Sequence, residues 1–488
     1  MYFELKRLAE IQAHLPSILE QEFKINDFVS NSSVRELDNL FGKFIPDIWV
    51  GIESQYVDKL YRDAYYNYYG SKLNAYQRDC IRLSFFDGPV SLEDFRSEEG
   101  AAKLQSIYKG FVVIRPTAPK VIGRNVLHPT IFKKDRPQLV TTAVFSSSVN
   151  GIKLTIEGFP HSSQDAEFMV CAETTVWSIM EYFSNRYPDY ESTLPKKIHS
   201  LLSASSIERQ VPSTGLTALQ ISFALKELGF GVKLYVASDD LKEQAEIQDI
   251  IRIYVESGIP VVTAIRNKTG VSHVLNIVGR TDFISPLVDI PTLTLSQGGR
   301  IFNYYSQEAK YLVIDDNLPA YSLISLEDPA CNYTGTVWKD CKICAVIAPL
   351  HKRIYMEAIR AKELAILHLK TLDRLTKLPN LAIRVLLSSS RSFKHSISIN
   401  PDLEVVHKTI INNLNMPKFV WIAETGTRES FAVGKATGML LMDATEPKKT
   451  EILARFLENT YLGKIDGIVG EYNIPLRPFR IHQNLKSY

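Results

Sequence analysis

The spacing of apolar residues divides the chain into segments with different predicted structure. At the start, Leu8, Ile11 and Leu15 recur every three or four positions, which is the period of an amphipathic helix. A stretch rich in tyrosine follows between residues 52 and 86, and aromatic residues at helical spacing usually belong to a core. Residues 1–110 are therefore predicted to form a mostly helical N-terminal region. A binding surface on the tyrosines is the alternative interpretation.

Shorter apolar runs, closed by proline or glycine, replace this pattern after residue 110. The runs GFVVIRP, LVTTAVF and IKLTIEGF are typical of strands, so residues 111–160 are predicted to be a β-rich bridge. Arg115 and Arg124 lie within it. A guanidinium can hold a substrate carboxylate, but we favour the interpretation that both residues brace a junction between domains.

The helical period returns after the bridge and then gives way to β-rich runs. Val176, Ile179 and Met180 lie on one face of a helix that is predicted to begin near Cys171. Two more predicted helices precede the apolar runs IPVVTAI, SHVLNIVGR and KYLVIDD. Because the helices come first and the strands follow, we expect an α+β unit with an antiparallel sheet over residues 161–350.

Residues 351–488 contain both periods and are predicted to form a second, smaller α/β domain. The expected elements are, in order, a helix over 352–375, a strand over 381–389, a polar loop SSRSFKHSISIN, a helix over 403–414, strands at KFVWIAE and GMLLMDAT, and a helix over 449–457. The final stretch, NIPLRPFRIHQNLKSY, is expected to be extended and to pack back on the body of the protein.

Composition narrows the function classes. The chain has 488 residues, 45% hydrophobic and 23% charged, which is typical of a globular protein with roughly two to four domains. A formal charge of +2 without a concentrated basic patch gives no case for nucleic acid. No apolar run is long enough for a membrane span, and the first residues carry charges where a signal peptide is apolar. Five cysteines indicate reduced thiols in a cytoplasmic protein.

Five polar residues form a candidate catalytic set. Cys171 lies at a predicted helix start, where the helix dipole and unpaired N–H groups favour the nucleophilic thiolate. His273 opens a later apolar run, and the next one ends in Asp315 and Asp316. Neighbouring antiparallel strands can bring these ends together, so the imidazole is a candidate base with either aspartate as its orienting group. Gln164 is a candidate oxyanion donor, together with the backbone N–H of Cys171.

These residues carry a resemblance to a known family. A glutamine, a cysteine opening a helix, a second helix ending near a glycine, a strand headed by histidine and a strand ending in aspartate resemble the papain-like cysteine peptidases, and most closely their C39-like branch. The matching stretches are CAETTVWSIMEYF, TALQISFALKELGFGVKLY, GIPVVTAIRNKTGVSHVLNIVGR and YLVIDDNLP, within about residues 160–320. The resemblance implies that Cys171 is the nucleophile, His273 the base and acid, Asp315 the orienting residue and Gln164 the oxyanion donor.

The resemblance also implies a papain-like core, a peptide or protein substrate and no cofactor or metal. The sequence departs from the family in three ways: Val170 and Ala172 flank Cys171 where the family tends to have Asp and Gly, Gln164 lies one position too far upstream, and Asp316 replaces a proline. Two other function classes stay open. One is an inactive papain-like scaffold acting as an interaction protein, and the other is a transglutaminase or deamidase that uses the same triad.

Two further motifs are weaker. Cys341 and Cys344, with Cys331 and His351, have donor types that suit zinc, but the usual pattern has a second closely spaced pair. The run CKICAVIAPL is also typical of a strand. The Gly-Lys pair in GTRESFAVGKATG lacks the glycine spacing and the preceding strand of a phosphate loop, so this segment is predicted to connect two strands.

Overall fold

The structure is a computed structural model with an α+β fold whose sheets are mainly antiparallel. It describes residues 2–24, 27–73, 76–118, 120–203, 211–213, 215–286, 293–294, 298–372, 380–448, 451–457, 459–465 and 467–488, with the side chains of residues 27–31 left out. In these ranges no helix is long and apolar enough to cross a bilayer.

The first 161 residues form a seven-stranded sheet with helices packed on it. Its elements are β1 (Tyr2–Arg7), α1 (Leu8–Phe23), α2 (Asp27–Phe41), β2 (Ile48–Tyr56), α3 (Lys59–Asn67), β3 (Cys80–Asp87), α4 (Glu98–Ile107), β4 (Tyr108–Ile114), β5 (Ile122–Leu127), β6 (Gln138–Val140), β7 (Ala143–Val149) and β8 (Ile152–His161). The strand order is β1-β2-β3-β4-β5-β8-β7, and β6 leaves this sheet to join the next one.

The prediction of a mostly helical region up to residue 110 missed a sheet, because strands β1 to β4 lie between the helices α1 to α4. Helix α1 follows the predicted spacing from Leu8 onward, but β1 to β4 occupy much of the remainder. Strand β3 is buried on both faces except at its last residue, so its run CIRLSFFD lacks the alternation that marks a half-buried strand. Strand β4 also crosses the boundary predicted at residue 110, and the β-rich bridge continues the same sheet.

The middle of the chain supplies the central sheet. The elements in this part of the chain are α5 (Cys171–Arg186), α6 (Pro195–Ser203), α7 (Ala218–Glu227), β9 (Phe230–Val236), α8 (Leu241–Glu256), β10 (Val261–Arg266), β11 (Ser272–Thr281), β12 (Leu293–Thr294), β13 (Arg300–Asn303), β14 (Tyr311–Ile314), β15 (Ser322–Ile324) and β16 (Lys342–His351). The order β15-β14-β11-β10-β16-β9 is antiparallel throughout, which confirms the predicted antiparallel sheet. Strand β6 pairs with β11.

The central sheet separates two hydrophobic cores. On β11, Val274 and Val278 belong to the core that contains α5 and the N-terminal sheet. Leu275 and Ile277 belong to the core that contains α8 and the C-terminal sheet. Because successive side chains of a strand point to opposite faces, one strand contributes to both cores and holds α5 at a fixed distance from the C-terminal region.

The C-terminal sheet has eight strands in the order β12-β13-β17-β18-β20-β21-β22-β23, and β13 pairs parallel to β17. Two of its strands therefore come from before residue 351. The remaining elements are α9 (Ala358–Lys370), β17 (Leu381–Ser389), α10 (Ser390–Ile399), α11 (Val405–Asn413), β18 (Phe419–Thr427), α12 (Arg428–Ala432), β19 (Lys435–Ala436), β20 (Gly438–Asp443), β21 (Ala454–Leu457), β22 (Thr460–Ile465), β23 (Ile468–Asn473), β24 (Phe479–Arg480) and β25 (Lys486–Ser487).

Two predictions in this region are wrong. The expected polar loop is helix α10, which Ser389 caps through the backbone N–H of Ser392, while Phe393 and Ile397 are buried one turn apart. The expected helix over 449–457 is strand β21 from Ala454 onward, and residues 449 and 450 lie outside the described part of the chain. Pairing with β20 and β22 overrides local helical propensity there.

A buried ion cluster connects the central and C-terminal sheets. Arg384 on β17 donates to Glu256 at the end of α8 and to Glu424 on β18, each at 2.7 Å. Glu256 also accepts from Arg280 on β11. The backbone of His482 bonds to this cluster, and β25 pairs with β6, so the chain end packs back on the body as predicted.

Candidate active site

Cys171 is the first residue of helix α5, and the rest of the helix is packed in the core, which holds the thiol in place. Its residues from Ala172 to Phe183 are all buried. Asn276 on β11 donates to the carbonyl of Thr175 at 3.2 Å and to the hydroxyl of Ser178 at 2.7 Å, which fixes the helix on the central sheet. Cys171 itself is half-buried. The thiol is therefore held on a rigid element at the edge of the core.

The loop before Cys171 is shaped by side-chain bonds to its backbone. One carboxylate oxygen of Asp165 accepts from the N–H groups of Glu167, Phe168 and Met169 at 3.0, 2.8 and 2.7 Å. Val170, the residue before the helix, offers no side-chain cap. The positive end of the helix dipole therefore meets the thiol directly, without a capping side chain from Val170.

Both arginines of the predicted bridge act as braces around this helix. Arg115 donates to the carbonyls of Ser163 and Gln164 at 2.7 and 2.8 Å and so holds the loop before Cys171. Arg124 donates to the buried carboxylate of Glu181 on α5 at 3.1 Å. These contacts support the interpretation that the two residues are structural.

His273 lies near the start of β11, next to the end of β14. The antiparallel register pairs Asn276 with Ile314, which brings the residue after β14 beside the imidazole. His273 Nε2 donates to Asp315 Oδ1 at 3.0 Å, and a hydrogen-bonding contribution from the Cys171 thiol also acts on the pKa of the imidazole. Burial opposes the imidazolium, but the Asp315 charge and these hydrogen bonds outweigh it and hold the pKa of His273 well above its ordinary value.

Asp315 and Asp316 have different surroundings. Asp315 is buried and accepts from His273, from the backbone N–H of Asn317 at 2.9 Å and from the hydroxyl of Tyr333. Burial raises the pKa of Asp315, and its charged and hydrogen-bonded partners together lower it below its usual range. Asp316 Oδ1 lies 3.7 Å from His273 Nε2, and Oδ2 has no hydrogen-bond partner in the described residues.

The pKa of Asp316 reflects its burial and the lack of a donor to Oδ2 in the described part of the chain. Burial, with the charge of Asp315 beside it, raises the pKa of Asp316 to about 7, although the His273 charge acts in the opposite direction. Asp316 is thus protonated in a large share of molecules near neutral pH. Asp315, which has three donors around it, is the carboxylate that the geometry pairs with His273.

Gln164 is linked to the same turn. Its side-chain amide donates to Asn317 Oδ1 at 2.8 Å, and its backbone N–H donates to the carbonyl of Asp316. The residue predicted as an oxyanion donor therefore lies against the turn that follows β14, with its amide engaged by Asn317. The Asn317 contact was not anticipated from the sequence.

Two aromatic residues of the site were missed at the sequence level. Tyr333 and Trp338 lie edge-to-face on the His273 ring, with ring centroids 5.6 and 5.9 Å away. Both come from the segment between β15 and β16, which has no regular spacing that marks it as functional. The only available signal was the position of two aromatic side chains in a polar connection shortly after the Asp315 strand.

The two weaker motifs do not assemble into sites. Cys331 is exposed, Cys341 is buried and Cys344 bonds to the carbonyl of Ala264 on the neighbouring strand β10. Across the described residues, the His, Cys, Asp and Glu side chains close enough to share a metal ion are His273, Asp315 and Asp316, so the cysteines are not part of such a group. Gly434 and Lys435 lie in the connection between β18 and β20, as predicted.

Comparisons with known proteins give little further information. No family model matches the chain, and no curated protein matches it. Among the solved structures that match is the crystal structure of UfSP from C. elegans, which is 15% identical, with a TM-score of 0.25. The match covers 44% of this chain and 34% of that one, so it spans about a third of the neighbour's length. A likeness this weak carries no argument about fold or activity.

Proposed function

We propose that this protein is a cysteine hydrolase of papain-like architecture, close to the C39-like branch, that cleaves an amide bond in a peptide or protein. One observation carries the proposal: the buried imidazole of His273 is hydrogen-bonded to the carboxylate of Asp315, and the half-buried thiol of Cys171 contributes to raising the pKa of the same imidazole. The three residues come from distant segments, and two of them lie at the ends of adjacent antiparallel strands.

The proposed reaction has two stages. The Cys171 thiolate attacks the substrate carbonyl, and the His273 imidazolium gives its proton to the departing amine, which leaves a thioester. Water then attacks the thioester, His273 takes its proton, and the acid product leaves with Cys171 restored. Asp315 holds the ring and stabilises its charged form.

The oxyanion of both tetrahedral intermediates is assigned to the backbone N–H of Cys171 and to Gln164. A side-chain amide suits this role, and losing one such donor typically costs about 10²–10³ in rate. The contact between Gln164 and Asn317 supports a fixed position for the amide beside the Asp315 turn. Cytoplasmic location, with reduced thiols, and selection of substrate by the N- and C-terminal regions belong to the same proposal.

Alkylation by iodoacetamide, read residue by residue by mass spectrometry, tests the proposal without a known substrate. Cys331 is exposed and serves as the internal control, whereas Cys171 is half-buried. An activated Cys171 is expected to react about tenfold faster than Cys331 at pH 7, because the thiolate is the reactive form. His273→Ala is expected to abolish that advantage.

Two results would count against the proposal. Equal labelling of Cys171 and Cys331, unchanged by His273→Ala, would favour an inactive scaffold that acts as an interaction protein. If Cys171 is reactive, incubation with a peptide mixture separates the remaining classes. Hydrolysis yields cleaved peptides, transglutaminase action yields cross-links, and deamidation yields a mass increase of about one dalton.

A further inference from the structure

The hydroxyl of Tyr333 is directed at the carboxylate that pairs with His273. It lies 2.9 Å from Asp315 Oδ1 and 2.8 Å from Asp315 Oδ2. Its ring contacts the His273 ring and that of Trp338, whose centroid is 4.7 Å away. One side chain thus touches the orienting carboxylate by its hydroxyl and the imidazole by its ring.

We propose that Tyr333 is a positioning residue that holds the Asp315 carboxylate aligned with His273, and so sets the pH range over which Cys171 reacts. The inference rests on the proposed function and assigns a further residue to it. Among the described residues, Tyr333 contacts Asp315 and His273 and forms no hydrogen bond or ring contact with Cys171, so its effect on the thiol passes through these two residues.

The physical reason is the preference of hydrogen bonds for the charged acceptor. Asp315 is 1% exposed, and burial alone favours its neutral form. Donors from His273, Asn317 and Tyr333 counteract that effect. Burial and the neighbouring Asp315 charge raise the pKa of Tyr333, so its phenol stays protonated and can only donate to the carboxylate.

The surroundings of His273 restrict what else can set its charge. The titratable and charged groups that act on the imidazole or on its two aspartates include Cys171, Asp315, Asp316, Tyr333, Cys341, Lys120 and His161, whose ring is hydrogen-bonded to the Asp315 carbonyl. Tyr333 is the neutral member of this group that donates to both oxygens of one carboxylate. Tyr333 and Trp338 also separate the imidazole from an open cavity of about 630 Å³ that both residues line. Water from that side therefore does not compete for Asp315.

The test is the pH dependence of Cys171 alkylation in full-length Tyr333→Phe. Loss of the phenol donor weakens the ionised form of Asp315 and hence the imidazolium of His273. Because the thiolate depends on the imidazolium in this proposal, the acidic limb of the profile, where Cys171 becomes reactive, is expected to move to higher pH by about 0.5 to 1 unit. The matched control is Tyr235→Phe, which removes a phenol bonded at 2.8 Å to Tyr254 and is expected to leave the limb unchanged.

A second replacement guards against a folding defect in Tyr333→Phe. Site-specific 3-fluorotyrosine at position 333 keeps the shape of the ring and makes the phenol a stronger donor, so the acidic limb is expected to move to lower pH. If the limb of Tyr333→Phe and that of the 3-fluorotyrosine protein both coincide with the wild-type limb, the role of Tyr333 is refuted, while the proposed function is unaffected. A wild-type profile in which Cys171 never exceeds Cys331 overturns this role together with the proposed function.

Discussion

Asp315→Asn is the substitution that tests the candidate site most directly. In the wild type, the buried carboxylate accepts from the His273 ring, the Asn317 backbone and the Tyr333 hydroxyl. An asparagine of the same shape removes the negative charge and turns one acceptor atom into a donor. The imidazolium of His273 then loses its main stabilising partner, while the packing around it is retained.

The size of the effect follows from the contacts that change. A hydrogen bond to a charged group contributes about 1.5–3 kcal/mol, and one pKa unit corresponds to about 1.4 kcal/mol. The pKa of His273 is therefore expected to fall by about one to two units. If the thiolate depends on the imidazolium, the rate of Cys171 alkylation at neutral pH falls by about 10- to 100-fold, and turnover falls further because the ring is no longer oriented.

The assay compares iodoacetamide labelling of Cys171 and Cys331 across pH 5 to 10 in three proteins. Asp316→Asn is the matched control, since it is the same change one residue along. Asp316 Oδ1 lies 3.7 Å from His273 Nε2, against 3.0 Å for Asp315, and its pKa of about 7 leaves it partly protonated. Asp316→Asn is expected to keep most of the Cys171 reactivity.

Two labelling results would contradict the assignment of Asp315 as the orienting residue. A large loss in Asp316→Asn with little change in Asp315→Asn makes Asp316 the orienting residue. Unchanged labelling in both variants means that neither carboxylate supports His273. Circular dichroism and a urea transition on each variant exclude a general loss of folding as the cause.

The same geometry makes two predictions about stability. The folded pKa of Asp316 is raised from 3.8 to about 7, so this residue favours folding below pH 4 and loses that contribution as the pH rises through 7. The free energy of unfolding of Asp316→Asn, measured in urea, is expected to rise relative to that of the wild type between pH 4 and 7 by up to about 4 kcal/mol, and a constant difference contradicts the assignment. Arg384→Met leaves the buried Glu256 and Glu424 without their shared partner, so the free energy of unfolding is expected to fall by about 3–5 kcal/mol. The control, Arg360→Met, removes a surface ion pair and is expected to cost less than about 1 kcal/mol. Similar losses in the two variants would argue against a stabilising role of the buried cluster.

Local signals predicted some elements well and others poorly. The helix after Cys171 and the strand after His273 have strong periods and clear ends, and the structure contains both. Strand β3 and helix α10 were misassigned for opposite reasons. The run of β3 is apolar without alternation because both of its faces are buried, whereas α10 is polar on most of its surface and its buried residues are Phe393 and Ile397.

Sheet membership is not a local property of this chain. Strands β12 and β13 pair with the C-terminal sheet although they precede β16 of the central sheet, and β25 returns to β6 near the first part of the chain. No period in the sequence encodes which distant edge accepts a strand, because the free energy comes from surface buried on both partners. The division of the chain into domains stays a prediction.

The sequence by itself determined the order of chemical groups: a thiol at a helix start, an imidazole at the head of a strand and two carboxylates at the end of another. It also predicted that the imidazole and the carboxylates could meet if their strands were antiparallel neighbours, and the pairing of β11 with β14 confirms that arrangement. Only the tertiary structure decided which carboxylate faces His273. Asp315 and Asp316 are chemically identical neighbours that differ in their donors. The Asn317 backbone and the Tyr333 hydroxyl donate to Asp315, whereas Asp316 accepts from the Asn317 side chain at Oδ1 and its Oδ2 has no donor among the described residues.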